Sequence, residues 1–101
     1  MLPLLFDWDA ANVEHVARHG VSPDEIEDAL LDPNRMGAEA RNPQNERRFA
    51  YIGSTAQGRT LVVVTTWRRR RIRVVTVRDA SERERHRYRR QRTLQWENDD
   101  E

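Results

Sequence analysis

The sequence contains no cysteine. A disulfide framework, a thiolate zinc site and a cysteine nucleophile are therefore excluded. It contains no lysine either; all 18 basic residues are arginine. No lysine acid or base can operate, and every cation is a planar, permanently charged fork suited to bidentate phosphate contact. Glycine and proline are sparse, at 4 each, and no glycine-rich phosphate loop is present. The 3 histidines, at positions 15, 19 and 86, are too scattered for a His-rich metal centre. No metal and no cofactor is expected. No apolar run approaches the ~18 residues that a membrane span needs. The opening MLPLLFDWD lacks the basic n-region of a signal peptide. The expectation is a soluble, cytoplasmic protein.

What is present is one short, polar chain. Its 101 residues are 37% hydrophobic and 35% charged, enough for a single modest core. The expected division is one domain over residues 1–92 and an acidic, frayed tail over 93–101. The net charge of +1 conceals an asymmetry. Residues 1–46 hold 3 Arg against 10 Asp and Glu; residues 47–92 hold 15 Arg against Asp79, Glu82 and Glu84. Such a local excess points to a polyanion such as RNA or DNA. The plainer alternative is a solvated face paired with the acidic first half.

Local signals give the order of elements. Leu4 to Trp8 reads as a short strand. Asp9 caps a helix carrying Val13, Val16 and Ala17, which stops at Gly20. Ser22-Pro23-Asp24-Glu25 is a capping box that opens a second helix with Ile26, Ala29 and Leu30 on its apolar stripe. A short strand is expected at Met36 to Ala40. Three more follow, at Arg47 to Ser54, Thr60 to Trp67 and Ile72 to Arg78, joined by turns at Gln57-Gly58 and within Arg68 to Arg71. Ser81 and Glu84 form a further capping box, starting a helix that reaches Tyr88 and extends toward Gln95. The fold class is α+β: two N-terminal helices on a three- to four-stranded antiparallel sheet, plus a C-terminal helix.

Several side chains could carry chemistry. Strict alternation places Ile72, Val74, Thr76 and Arg78 on one face of the last strand and Arg73, Val75 and Val77 on the other. Arg78 ends an apolar stripe, so it is a transition-state or phosphate clamp, a salt-bridge partner of Glu84 or Asp79, or both. His19, at a helix C-terminus, either caps carbonyls or, when protonated, donates to a leaving oxygen. His15 lies one turn earlier; the two alone are weak evidence for metal. Tyr88 either stacks on a base or anchors its helix. Trp67 beside Arg68, Arg69, Arg70 and Arg71 is the better stacking candidate, with those arginines steering phosphate or merely forming a solvated hairpin tip. Arg48, Arg73 and His86 complete the candidate RNA contacts. No paired carboxylates and no serine triad stand out. The chemistry open to this set is metal-independent phosphodiester cleavage driven by the 2′-hydroxyl of RNA.

These residues carry a family likeness. FDWDAANVEHVARHGVSPDEIEDALLDP resembles the start of BrnT-type toxins. ERRFAYIGSTAQGRTLVVV is similar to that family's Glu-Arg strand and the hydrophobic strand after it. IRVVTVRDASERERHRYRR is similar to its closing pattern. The resemblance implies a RelE-like fold, a ribonuclease that blocks translation, and a BrnA-type antitoxin. The ribbon-helix-helix end of that antitoxin would bind operator DNA. Carried over by position, the implied catalytic residues are His19, Arg47, Arg78, Glu84 and Tyr88. The chain departs from the pattern at Thr76-Val77, where small residues are usual, in its missing lysines, and in the extension after Tyr88. A non-catalytic nucleic-acid-binding or repressor-complex module of the same fold is the alternative. Convergence of Arg47, Arg78 and either His19 or Tyr88 on one arginine-walled groove would favour the nuclease. The oligomeric state is open, a homodimer included.

Overall fold

A computed structural model describes residues 5–40 and 46–99, with side chains as far as residue 91. The elements are α1 (Ala10–Arg18), α2 (Pro23–Leu31), β1 (Met36–Ala40), β2 (Arg48–Ser54), β3 (Thr60–Arg68), β4 (Arg71–Asp79) and α3 (Glu82–Asp99). The strands form one antiparallel sheet in the order β1-β2-β3-β4. This is the expected α+β architecture. Residues 100 and 101, at the end of the expected frayed tail, lie outside the described residues.

Each helix starts where its cap dictates. Asp9 accepts from the Asn12 N–H while the Asn12 side chain accepts from the Asp9 N–H. Ser22 and Glu25 make the same reciprocal pair for α2, with Pro23 at the first helical position. Ser81 and Glu84 do so for α3. Each box satisfies orphan N–H groups that water would otherwise have to reach.

One expected strand is missing. Within the described part of Leu4 to Trp8, only Phe6 pairs, through an isolated parallel bridge to Ile72. The segment instead delivers Phe6 and Trp8 to the core edge. The Trp8 indole N–H donates to Glu27 at 2.8 Å. The core itself is the odd-numbered face of β3 (Leu61 and Val63) with Val74 and Val77 of β4, covered by Val16, Ile26, Ala29 and Leu30. Chain crossing is closest at Gly53, where a Cβ would lie 2.1 Å from the Ala29 carbonyl oxygen. Only glycine lets α2 settle onto β2 there.

Strict alternation fails in β4. Thr76 pairs with Val64, but Val74 pairs with Thr65, so Val75 is an extra residue in a β-bulge. The bulge reverses the parity of the strand. Val74 joins Val77 on the core face, and Arg73 and Arg78, expected on opposite faces, share the open face opposite the helices. Arg73 pairs with Thr66 and Arg78 with Val62, both even-numbered positions of β3.

Gly53→Ala should lower unfolding free energy by about 2–3 kcal/mol, because the clash is with backbone and cannot be relieved by a rotamer. A shift of the urea midpoint with an unchanged slope would check it. An unaltered midpoint would show that α2 does not rest on β2 as closely as described.

Candidate active site

The open face of the sheet is concave and holds a hollow of about 440 Å³. Its floor comes from alternate residues of three strands: Ala38, Ala50, Ile52, Val62 and Val64. Its rim carries His19, Thr76, Arg78, Glu84 and Arg87. An apolar floor with a few convergent polar groups on the rim has the composition of a ligand site. It is not the arginine-walled groove expected from composition. Arg78 and Arg87 are its only arginines among the described residues. Several of the others are turned to carboxylates outside the hollow. Arg47 bonds Glu39, Arg48 bonds Glu46, Arg73 bonds Asp7 and Asp9, and Arg85 bonds Glu82.

Three local devices bring the rim together. The first is the bulge, which turns Arg78 to the open face. The second is the capping box of α3. Glu84 is its third helical residue, and its carboxylate also grips the Arg78 guanidinium bidentately, at 2.6 and 2.8 Å. That bond, followed by the Ser81 backbone N–H, holds the Glu84 carboxyl down to about 2. Glu84 likewise raises Arg78 above its ordinary value. Arg78 also donates to the Asp79 carbonyl at 3.3 Å, which leaves some of its five N–H donors without a partner among the described residues. The third device is the α1–α2 junction, where His19 closes α1 and Gly20 takes a φ of 72°. His15 bonds the Thr76 hydroxyl at 3.1 Å, and its ring meets that of His19 edge-on with centroids 5.1 Å apart.

Arg59 braces this junction, although nothing in the sequence singles it out. It donates to the Gly20 carbonyl at 2.9 Å, to Glu25 at 3.1 Å, and to Asp79 at 2.8 and 3.1 Å. Gly20 follows His19 and Asp79 follows Arg78, so one guanidinium fixes the backbone beside both. Its hydrogen bond to Asp79 raises it above its ordinary value and lowers Asp79 in return.

The other candidates lie elsewhere. Arg47 is exposed at the far side of β2, bonded to Glu39 at 3.1 Å with its guanidinium 5.4 Å from the Phe49 ring centre. Tyr88 is buried and donates its hydroxyl to Asp32, which also accepts from the Ser54 N–H. It anchors α3 and does not line the hollow. Trp67 is 57% exposed, but its strand position turns it toward the helix side. Arg68 to Arg71 form the β3–β4 hairpin end, and His86 is exposed on α3. Arg48 and Arg73 border a shallower concavity beside His15 and Thr66. Arg87 was missed: it sits in an arginine-rich helix, and only its spacing of one turn from Glu84 distinguishes it. Among the described residues, no group of three or more His, Asp or Glu is arranged to hold a metal ion. No helix there is long and apolar enough to cross a membrane.

A sequence model described as the ribonuclease toxin BrnT of type II toxin–antitoxin systems matches residues 8–84. The chain belongs to this family. The match runs from Trp8 through Glu84, so it takes in the hollow's rim from His19 to the Arg78 clamp. No curated protein matches the chain. For a BrnT-family toxin, RNA is the substrate and an antitoxin the partner, as expected from the resemblance.

Glu84 contributes stability in full above its ordinary value near 4.5 and loses it as pH falls through about 2. The wild-type unfolding free energy should therefore fall between those limits more steeply than that of Glu84→Gln. Denaturant titrations of both proteins across that range check it; parallel curves would mean that Arg78 is not held by Glu84.

Proposed function

We propose that the hollow is the active centre of a metal-independent endoribonuclease that cuts single-stranded RNA and thereby inhibits translation. The observation that carries this reading is the Arg78 guanidinium, held by Glu84 at the rim of a hollow that His19 also borders. In the reaction, the ribose 2′-hydroxyl attacks the adjacent phosphorus and the bond to the 5′ oxygen breaks. A 2′,3′-cyclic phosphate and a 5′-hydroxyl result. Charge builds on the non-bridging oxygens, and a pre-oriented guanidinium stabilises it without reorganisation. Arg78 serves in that role. Glu84 fixes its fork and is a positioning residue.

His19 moves the proton. Its ring has the His15 edge beside it and no hydrogen-bond partner among the described residues, so it can reach a leaving oxygen. Tyr88 acts at one remove, by holding α3 and with it Glu84 and Arg87. The reading gives Arg47 no step. Metal independence is supported by the carboxylate supply: among the described residues the one carboxylate on the rim, Glu84, is committed to Arg78. Arg48, Arg73, Trp67 and His86 are assigned to RNA contact outside the cut. The working domain is residues 1–92, with the tail 93–101 outside it. A BrnA-type antitoxin with a ribbon-helix-helix end neutralises the enzyme and carries the complex to operator DNA.

Purified protein should cleave a single-stranded RNA in excess EDTA and leave 2′,3′-cyclic phosphate ends. A 2′-deoxy sugar at the cut should block the reaction. Arg78→Ala and His19→Ala should each lose about 10²–10⁴-fold in rate, with circular dichroism confirming that both fold. Loss of cleavage in EDTA would overturn metal independence. Variants as active as the wild type would move the centre elsewhere. RNA retained but never cut would support the binding-module alternative.

A further inference from the structure

We propose that the tip of the β3–β4 hairpin is a second phosphate-binding subsite, which grips a single-stranded RNA about four nucleotides from the cut and sets how the strand lies along the sheet. The inference rests on the ribonuclease reading of the hollow and extends it along the same open face.

Two independent features mark the tip. The first is its backbone. β3 ends at Arg68 and β4 begins at Arg71, so Arg69 and Arg70 alone make the turn. Both have positive φ, 53° and 67°. A two-residue hairpin turn of this kind suits Asn-Gly, and most other L residues are strained in it. Two successive arginines are a poor choice for the fold. Strain of this sort persists where a site needs the side chains.

The second feature is unbalanced charge. Arg69, Arg70 and Arg71 have no carboxylate partner among the described residues, while Arg47, Arg48, Arg59, Arg73, Arg78 and Arg85 all have one. Asp7 and Asp9 border the tip, but their closer contacts go to Arg73, at 3.4 and 3.0 Å, and Arg68 lies 3.9 Å from Asp7. The uncompensated positive charge of β3 and β4 is thus collected at one exposed, conformationally fixed end.

The tip and the hollow are joined. Arg71 to Arg78 is one strand, and the bulge keeps Arg73 and Arg78 on the same side of it. Between them lies the shallow concavity of His15, Arg48, Thr66 and Arg73. From Arg78 to Arg70 the strand runs about 25 Å at its usual rise. An unstacked strand covers that distance with about four nucleotides. The hollow takes the phosphate to be cut, and the tip takes one further along. The chemical class recognised is a flexible ribose-phosphate chain, since a stiff duplex would not follow a curved sheet face between two separated cationic points.

The test uses the full chain with Arg69→Asn and Arg70→Gly together, a change that suits the turn and keeps the hairpin. Two oligoribonucleotides, of about three and about ten residues, share one cleavable linkage, with extensions placed on either side in turn. For the wild type, kcat/KM should be about tenfold higher on the long strand for one of the extensions. The double variant should cut the short strand at the wild-type rate and lose that advantage. Binding of a non-cleavable long strand, followed by fluorescence anisotropy, should lose about 1.4 from its log–log salt slope with two phosphate contacts removed. The melting temperature should rise by a few degrees as the turn strain is released. If neither protein cuts RNA but the variant alone loses strand affinity, the nuclease reading fails and the subsite stands. Wild-type binding and length dependence in the variant would overturn the subsite. Unchanged strand affinity with a weakened antitoxin contact would overturn it too, assigning the tip to a protein partner.

Discussion

A single guanidinium holds the working face of this fold in register. Arg59 lies in the β2–β3 hairpin, where its own backbone is fixed by Thr55: the Arg59 N–H donates to the Thr55 hydroxyl, and its carbonyl accepts from the Thr55 N–H. From there it reaches α2 at Glu25, the α1–α2 junction at Gly20 and the end of β4 at Asp79. Residues 20–25 and Asp79, far apart in sequence, therefore share one planar donor. Its side chain is 30% exposed and that of Glu25 29%, so this pair is partly shielded, whereas Asp79 at 59% leaves its pair open to solvent screening. Lysine, a point charge on a flexible stem, could not meet all these acceptors in one plane. The all-arginine composition has a structural use here that is separate from phosphate binding.

The open face depends on a second constraint, the conflict between strand period and core demand in β4. Val74 and Val77 both have to reach the core, and they stand three positions apart, an odd spacing. A regular strand cannot place both on one side. The extra residue at Val75 resolves this, and the same step brings Arg73 and Arg78 to the other side. Packing on one face thus determines charge placement on the opposite face. The local twist that a bulge adds also suits a sheet that must curve around a hollow.

These two features show why the sequence was readable in some places and not in others. The N-cap at Asp9 and the capping boxes at Ser22 and Ser81 are local patterns within four residues, and each opens a helix where it falls. The strands from Arg48 onward announce themselves by β-branched and aromatic residues and turn signals. The parity of Arg73 and Arg78 was not legible, because a bulge answers to the partner strand. The ion pair of Arg78 with Glu84 was among the readings open for Arg78, and the geometry contains it. Arg59 and Arg87 escaped notice because eighteen arginines look alike until their carboxylates are located. The same blindness inflated the expected cationic groove: composition counts charges, whereas the field a ligand feels counts what pairing leaves over.

The anchoring of α3 has one more consequence. Over its described side chains, Tyr88 is the single one in the core, docked through Asp32. The helix's other described contacts to the body of the fold are polar: Glu84 holds Arg78, and Arg85 donates to the Ala80 carbonyl. With a single apolar anchor among those side chains, opening of α3 is expected to be a separate and smaller event than opening of the sheet. Such an opening would carry Glu84 and Arg87 away together and strip Arg78 of its counter-ion while the strands stay joined.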